Sequence, residues 1–140
     1  MSTLSERAQS AQESLFGLYD RLNEGIKAAE KRIISYHVPY EVSVGIVGRY
    51  TTDHYAIARI KGEWRLCYGE TNVGANDESE EMPSEWRPLI DCSGVVRANA
   101  ANHAKYIANL EAKLVEASET FIPYVEKGIG ELDKFLASTV

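Results

Sequence analysis

The chain is short of cysteine and basic charge, and it holds no long apolar run. Its only cysteines are Cys67 and Cys92. Two thiols make no disulfide framework, and a reducing cytoplasm is the expected location. Against 21 acidic residues stand 15 lysines and arginines, a formal net charge of −6. That balance argues against nucleic acid and anionic membrane as partners, both of which select a basic surface. No apolar stretch nears the roughly 20 residues needed to cross a bilayer. The opening MSTLSERAQSAQ has neither the basic nor the apolar segment of a signal peptide.

Familiar chemical motifs are also missing. No HExxH or CxxC occurs, and His37, His54 and His103 fall in three separate elements, so no metal is expected. Glycines form neither a GxGxxG nor a phosphate loop; Gly128-Ile129-Gly130 lies inside a helical pattern. The acidic run Asn76 to Glu81 lacks the alternating ligands and central glycine of a calcium-binding loop. Cys92 stands at an expected helix start, where the dipole favours a thiolate. The spacing to Arg97 is nevertheless one residue short of a phosphatase Cys–Arg loop. A capping motif with a semi-buried thiol is the simpler reading, and no cofactor is implied.

What the chain does have is helical periodicity at both ends. Apolar residues run Leu4, Ala8, Ala11, Leu15, Leu18, Leu22, then Ile26, Ala29, Ile33 and Tyr36. The steps alternate four and three, with one extra four between Leu22 and Ile26, which describes a coiled-coil-like seam with a single stutter. Thr3 with Glu6 supplies a capping box, and Pro39 after His37-Val38 supplies the stop. A helical arm over 3–36 is about 50 Å long, more than a small domain is wide. A second arm over 91–138, capped by Asp91 or Ser93, carries Val96, Ala100, His103, Ile107, Leu110, Leu114, Ala117 and Phe121 on one stripe. Pro123 interrupts it as a kink or a break, and Val125, Ile129, Leu132 and Leu136 resume it.

Between the arms the period changes to two. Val42, Val44 and Ile46 alternate with polar or small residues, and GRYTTD over 48–53 reads as a connection. Tyr55–Ile60 and Glu63–Tyr68 flank Lys61-Gly62, whose two-residue turn sets the register by counting. It opposes Arg59 to Trp64, Ile57 to Leu66 and Tyr55 to Tyr68. This aromatic and aliphatic face is expected to meet the helices, with Arg59 stacked on Trp64. Residues 70–85 hold six acidic groups and no Lys or Arg, which reads as a surface loop. Trp86 and Leu89 beyond it are expected to pack.

The resulting architecture is one α+β domain over 1–140, with globular composition at 44% hydrophobic and 26% charged residues. It comprises a long N-terminal helix, a three-stranded antiparallel β-meander over 40–69, the acidic loop over 70–85, and a long kinked C-terminal helix or helix pair. The two arms are expected to pack antiparallel. Two functions from different classes follow. One is a non-enzymatic interaction or structural module, self-associating through Leu15, Leu18, Leu22, Ile26 and Ile33, with a homo-oligomer or another protein as partner. The other is a small-ligand or anion-binding protein, or an enzyme, using Arg59, Trp64, Trp86 and Arg97 near the sheet and the second arm's start. The missing catalytic constellation leans toward the first, although many sites assemble from scattered residues.

Overall fold

The Thr3 hydroxyl accepts a hydrogen bond from the Glu6 amide at 3.1 Å and starts α1, Leu4–Ile34. In the computed structural model, which describes residues 3–72 and 82–138, β1 (Val42–Val47), β2 (Thr51–Ile60) and β3 (Glu63–Asn72) follow. A two-residue strand β4 (Arg87–Pro88), a 3-10 turn over Leu89–Asp91, α2 (Gly94–Asn102) and α3 (Ala104–Ala137) complete the chain. The sheet is antiparallel throughout, in the order β1-β2-β3-β4.

The meander has the counted register: Arg59 opposes Trp64, Ile57 opposes Leu66 and Tyr55 opposes Tyr68. Lys61 and Gly62 both take positive φ, at 52° and 84°, the primed turn that suits a tight hairpin. The strands are longer than expected. Thr51 to Asp53, read as connection, begin β2, and Glu70 to Asn72, read as acidic loop, end β3. A tight turn accounts for the first, since the Gly48 amide donates to the Thr51 carbonyl at 2.8 Å. A Cβ on Gly48 would lie 2.8 Å from that same oxygen, so only glycine closes the turn without displacement. The second is held by Tyr68, whose hydroxyl lies 2.8 Å from Asp53 and 3.0 Å from Glu70. It thereby bridges two carboxylates that face each other across the strands. Of the acidic segment, residues 73–81 lie outside the described residues. Pro83, also assigned to that surface loop, is buried.

The second arm breaks at His103, not at Pro123. His103 leaves helical geometry at φ −112°, ψ 35°. There Asn102 Nδ2 donates to the Ala98 carbonyl, and His103 Nδ1 lies 2.9 Å from the Asn99 carbonyl. Such side chains compete with the backbone ladder and favour an end. Pro123 is carried inside a continuous α3. Its neighbourhood is exposed, so the carbonyl it deprives of a donor turns to water.

The aromatic and aliphatic face of the meander does meet the helices. Val44, Tyr55, Ile57 and Leu66 pack with Ile26 and Ile33 of α1, Leu89, Ala100, and Leu110 and Leu114 of α3. Leu66, Leu89 and Leu110 are fully buried. The direction of the helices differs from expectation. Gly94 lies under Tyr19, Arg97 bonds Asn23, and Arg32 pairs with Glu111. Residue numbers rise together along both arms, so α1 and the α2–α3 arm run parallel. In a parallel, staggered pair the free ends project from opposite ends of the molecule. The long meander between the arms returns the chain to the level where α1 began to pack, and this makes the parallel arrangement possible.

Candidate functional site

α1 and α3 are each divided into a packed half and a bare half. Every residue of 3–18 is exposed, and so is every residue of 122–138. Packing of α1 begins at Tyr19 and Leu22, while that of α3 ends at Phe121, whose ring meets Tyr40 edge-on at 6.2 Å. At 1.5 Å per residue the two projections are ~22 and ~24 Å long. They are not polar. α1 leaves Leu4, Leu15 and Leu18 in solvent, and α3 leaves Ile122, Val125, Ile129, Leu132 and Leu136. Each set falls on one stripe, by the same three-and-four spacing that buries the other half. An isolated helix of this length is marginal in water, and a contiguous bare apolar stripe is uncommon on a monomer's surface.

The sequence assigned the interface to Leu15, Leu18, Leu22, Ile26 and Ile33. Leu15 and Leu18 are exposed, Leu22 is half-buried against the core, and Ile26 and Ile33 are buried within it. That division has a physical cause. The four-residue stutter between Leu22 and Ile26 marks the region where the stripe turns onto the chain's own sheet. The sequence shows the α3 stripe resuming beyond Pro123 at Val125, Ile129, Leu132 and Leu136, outside the five residues assigned to the interface, and these four side chains are exposed.

The four residues of the ligand-binding reading do not converge. Arg59 stacks over Trp64 at 5.6 Å beside the Lys61-Gly62 turn, on the helix-facing side. Trp86 lies on the opposite face, edge-on to His54 at 6.3 Å, and its indole N–H donates to Glu41. It presses on Gly69, where an added Cβ would fall within 2.6 Å of Pro83 and 3.1 Å of the indole. Arg97 sits on α2 over the Tyr19 ring, 5.3 Å from its centroid, and donates to Asn23. Its Nε is buried without an acceptor among the described residues.

A cleft of about 320 Å³ lies between the arms, lined by Ala28, Ala29, Ile33, Ala104 and Ile107. Arg32 and Glu111 close it with a two-pronged ion pair, at 2.6 and 2.8 Å. The hydrogen bond from Arg32 holds the Glu111 carboxyl below its ordinary range. A second cleft of about 380 Å³ lies along the outer edge of β3, between Tyr68, Glu70, Arg87, Cys92 and Ser93. Burial pushes the Cys92 thiol up, against the pull of Arg87 and Arg97, and its Sγ donates to the Pro88 carbonyl. Burial also pushes Cys67 up to about 12. Neither thiol is a stabilised thiolate. Among the described residues no three His, Cys, Asp or Glu side chains gather into a metal-binding group, and no helix is long and apolar enough to cross a membrane. No known family, curated protein or solved structure matches the chain.

Proposed function

We propose that this protein is a non-enzymatic interaction module that self-associates through the bare halves of its two long helices. The observation that supports it is the pair of exposed apolar stripes, Leu4 to Leu18 and Ile122 to Leu136, on helices whose other halves are fully used by the core. Neither cleft brings together a nucleophile, a base and an oriented partner, the set that covalent chemistry requires. The rigid sheet-and-helix centre serves as a spacer that holds the two stripes at opposite ends. Light scattering after size exclusion tests the reading. The wild-type chain should run as a multiple of 15.6 kDa at micromolar concentration. Leu15→Asp and Ile129→Asp should each shift it to the monomer with an unchanged near-ultraviolet spectrum, because an unpaired charge is not tolerated in an apolar seam. A wild-type species of 15.6 kDa at high micromolar concentration would overturn it.

A further inference from the structure

The two bare stripes have matching length, phase and flanking charge. From these we infer that the chain forms a closed twofold dimer in which the α1 projection of each copy packs antiparallel against the α3 projection of its partner. The inference rests on the self-association proposed above and specifies its partner surface. Because the arms run parallel and staggered, the projections leave opposite ends of the molecule. A twofold axis across the middle inverts the second copy. It sets both α1 projections beside both α3 projections at once, and the assembly closes. The lengths agree, at ~22 and ~24 Å.

Phase agrees as well. In the register of full overlap, Leu4 faces Leu136, Leu15 faces Val125 and Leu18 faces Ile122, and the small Ala11 meets the large Ile129. These are the alternating layers of an antiparallel coiled coil. The large side chains of the two stripes are 42 to 79% exposed. At roughly 180 Å² for a fully exposed residue of this size, they offer on the order of 800 Å² per protomer, the share each partner contributes to a stable interface.

Charge selects this pairing over α3 against itself. Glu119, Glu126 and Asp133 recur one heptad apart on the same flank of the α3 stripe. Antiparallel pairing of α3 with its own copy sets these carboxylates against one another, which is repulsive. Against α1 the same flank meets neutral groups, with Glu126 opposite Gln12 and Asp133 opposite Ser5. On the other flank Arg7 meets the exposed Phe135 ring, a favourable cation–π partner.

Cysteine pairing in a Cys92→Ser background tests the arrangement, with Cys67 buried and unreactive. Leu15→Cys and Val125→Cys, expressed as two separate variants and mixed before oxidation, should give one cross-linked dimer absent from either alone. The double variant should give the same dimer and no ladder. Circular dichroism confirms folding, and a second pair, Leu4→Cys with Leu136→Cys, covers any failure at the first. Cross-linking of Val125→Cys with itself overturns the pairing in favour of α3 against α3. A ladder, or cross-linking of Leu15→Cys with Leu136→Cys instead, overturns it in favour of an open parallel chain. A dimeric mass with none of these cross-links also defeats it while leaving self-association intact. A monomeric mass defeats self-association itself.

Discussion

Ile26 and Leu15 belong to the same helix and the same apolar stripe, yet one is buried in the core and the other stands in solvent. The same division runs through α3, where Leu110 and Leu114 are buried and Ile129 and Leu132 are bare. Periodicity shows that a face is to be buried; it does not show against what. The packed halves find the meander, which offers Tyr55, Ile57 and Leu66 on one side. Beyond the edges of that sheet the stripes continue with nothing among the described residues to cover them. A helix longer than its own domain leaves part of its apolar stripe in solvent, and the self-association proposed above would cover it.

The sharpest break of this comparison sets Leu110→Ala against Leu136→Ala. Leu110 is fully enclosed, and its truncation should lower unfolding free energy by about 2–5 kcal/mol, the range for a buried leucine that leaves a cavity. Urea denaturation followed by tryptophan fluorescence measures it. Leu136→Ala should leave that transition within about 0.5 kcal/mol when the protein is dilute enough to be monomeric, as surface changes do. Equal losses at the two positions would show that the bare half is part of the folded core.

A second comparison concerns the two faces of the sheet. The helix-facing side is covered by two long helices, whereas His54 and Gly69 on the other side meet Trp86 and Pro83 of one short segment. Gly69→Val should destabilise by about 1–3 kcal/mol, because a Cβ there collides with Pro83 and the indole. Thermal unfolding at fixed protein concentration reads the loss. An unchanged melting temperature would show that the segment is displaced without consequence.

The smallest expected effect is electrostatic. Burial lowers the His54 pKa below its ordinary 6.5, partly opposed by Asp53. The unfolded chain therefore binds this proton more readily than the folded one. Stability from His54 is complete above about pH 6.5 and declines as pH falls toward the lowered folded value. His54→Gln should flatten the melting temperature between pH 7 and pH 5 relative to wild type. An identical slope in the variant would place the titration elsewhere.

Much of this fold was legible because it rests on local rules. The Thr3 cap, the Lys61-Gly62 hairpin and the Arg59–Trp64 stack follow from residues close in sequence, whose geometry the backbone dictates. Ser93 caps α2 by the same rule, accepting from the Val96 amide at 3.3 Å. The fourth strand could not be read from Arg87-Pro88, since two residues have no period and acquire one only by pairing with Cys67 and Tyr68. The acidic end of β3 was misread for a related reason. Glu70 looks like loop until the Tyr68 hydroxyl, fixed by the sheet, is seen between it and Asp53.

By itself the sequence determined the elements: two long amphipathic helices, a meander with one apolar face, and a register set by a two-residue turn. Those depend on periodicity and on φ/ψ preferences, which act within a few residues. Tertiary structure alone decided that the helices run parallel and where each stripe leaves the core. Both depend on where the edges of the sheet fall in space. Glu30 shows the scale of that dependence. It reaches from α1 to accept the Leu66 amide at 2.9 Å and the Arg65 guanidinium at 3.1 Å, closing the edge of β3 beside β4. No spacing in the chain relates residue 30 to residue 66; only the packed sheet brings them together.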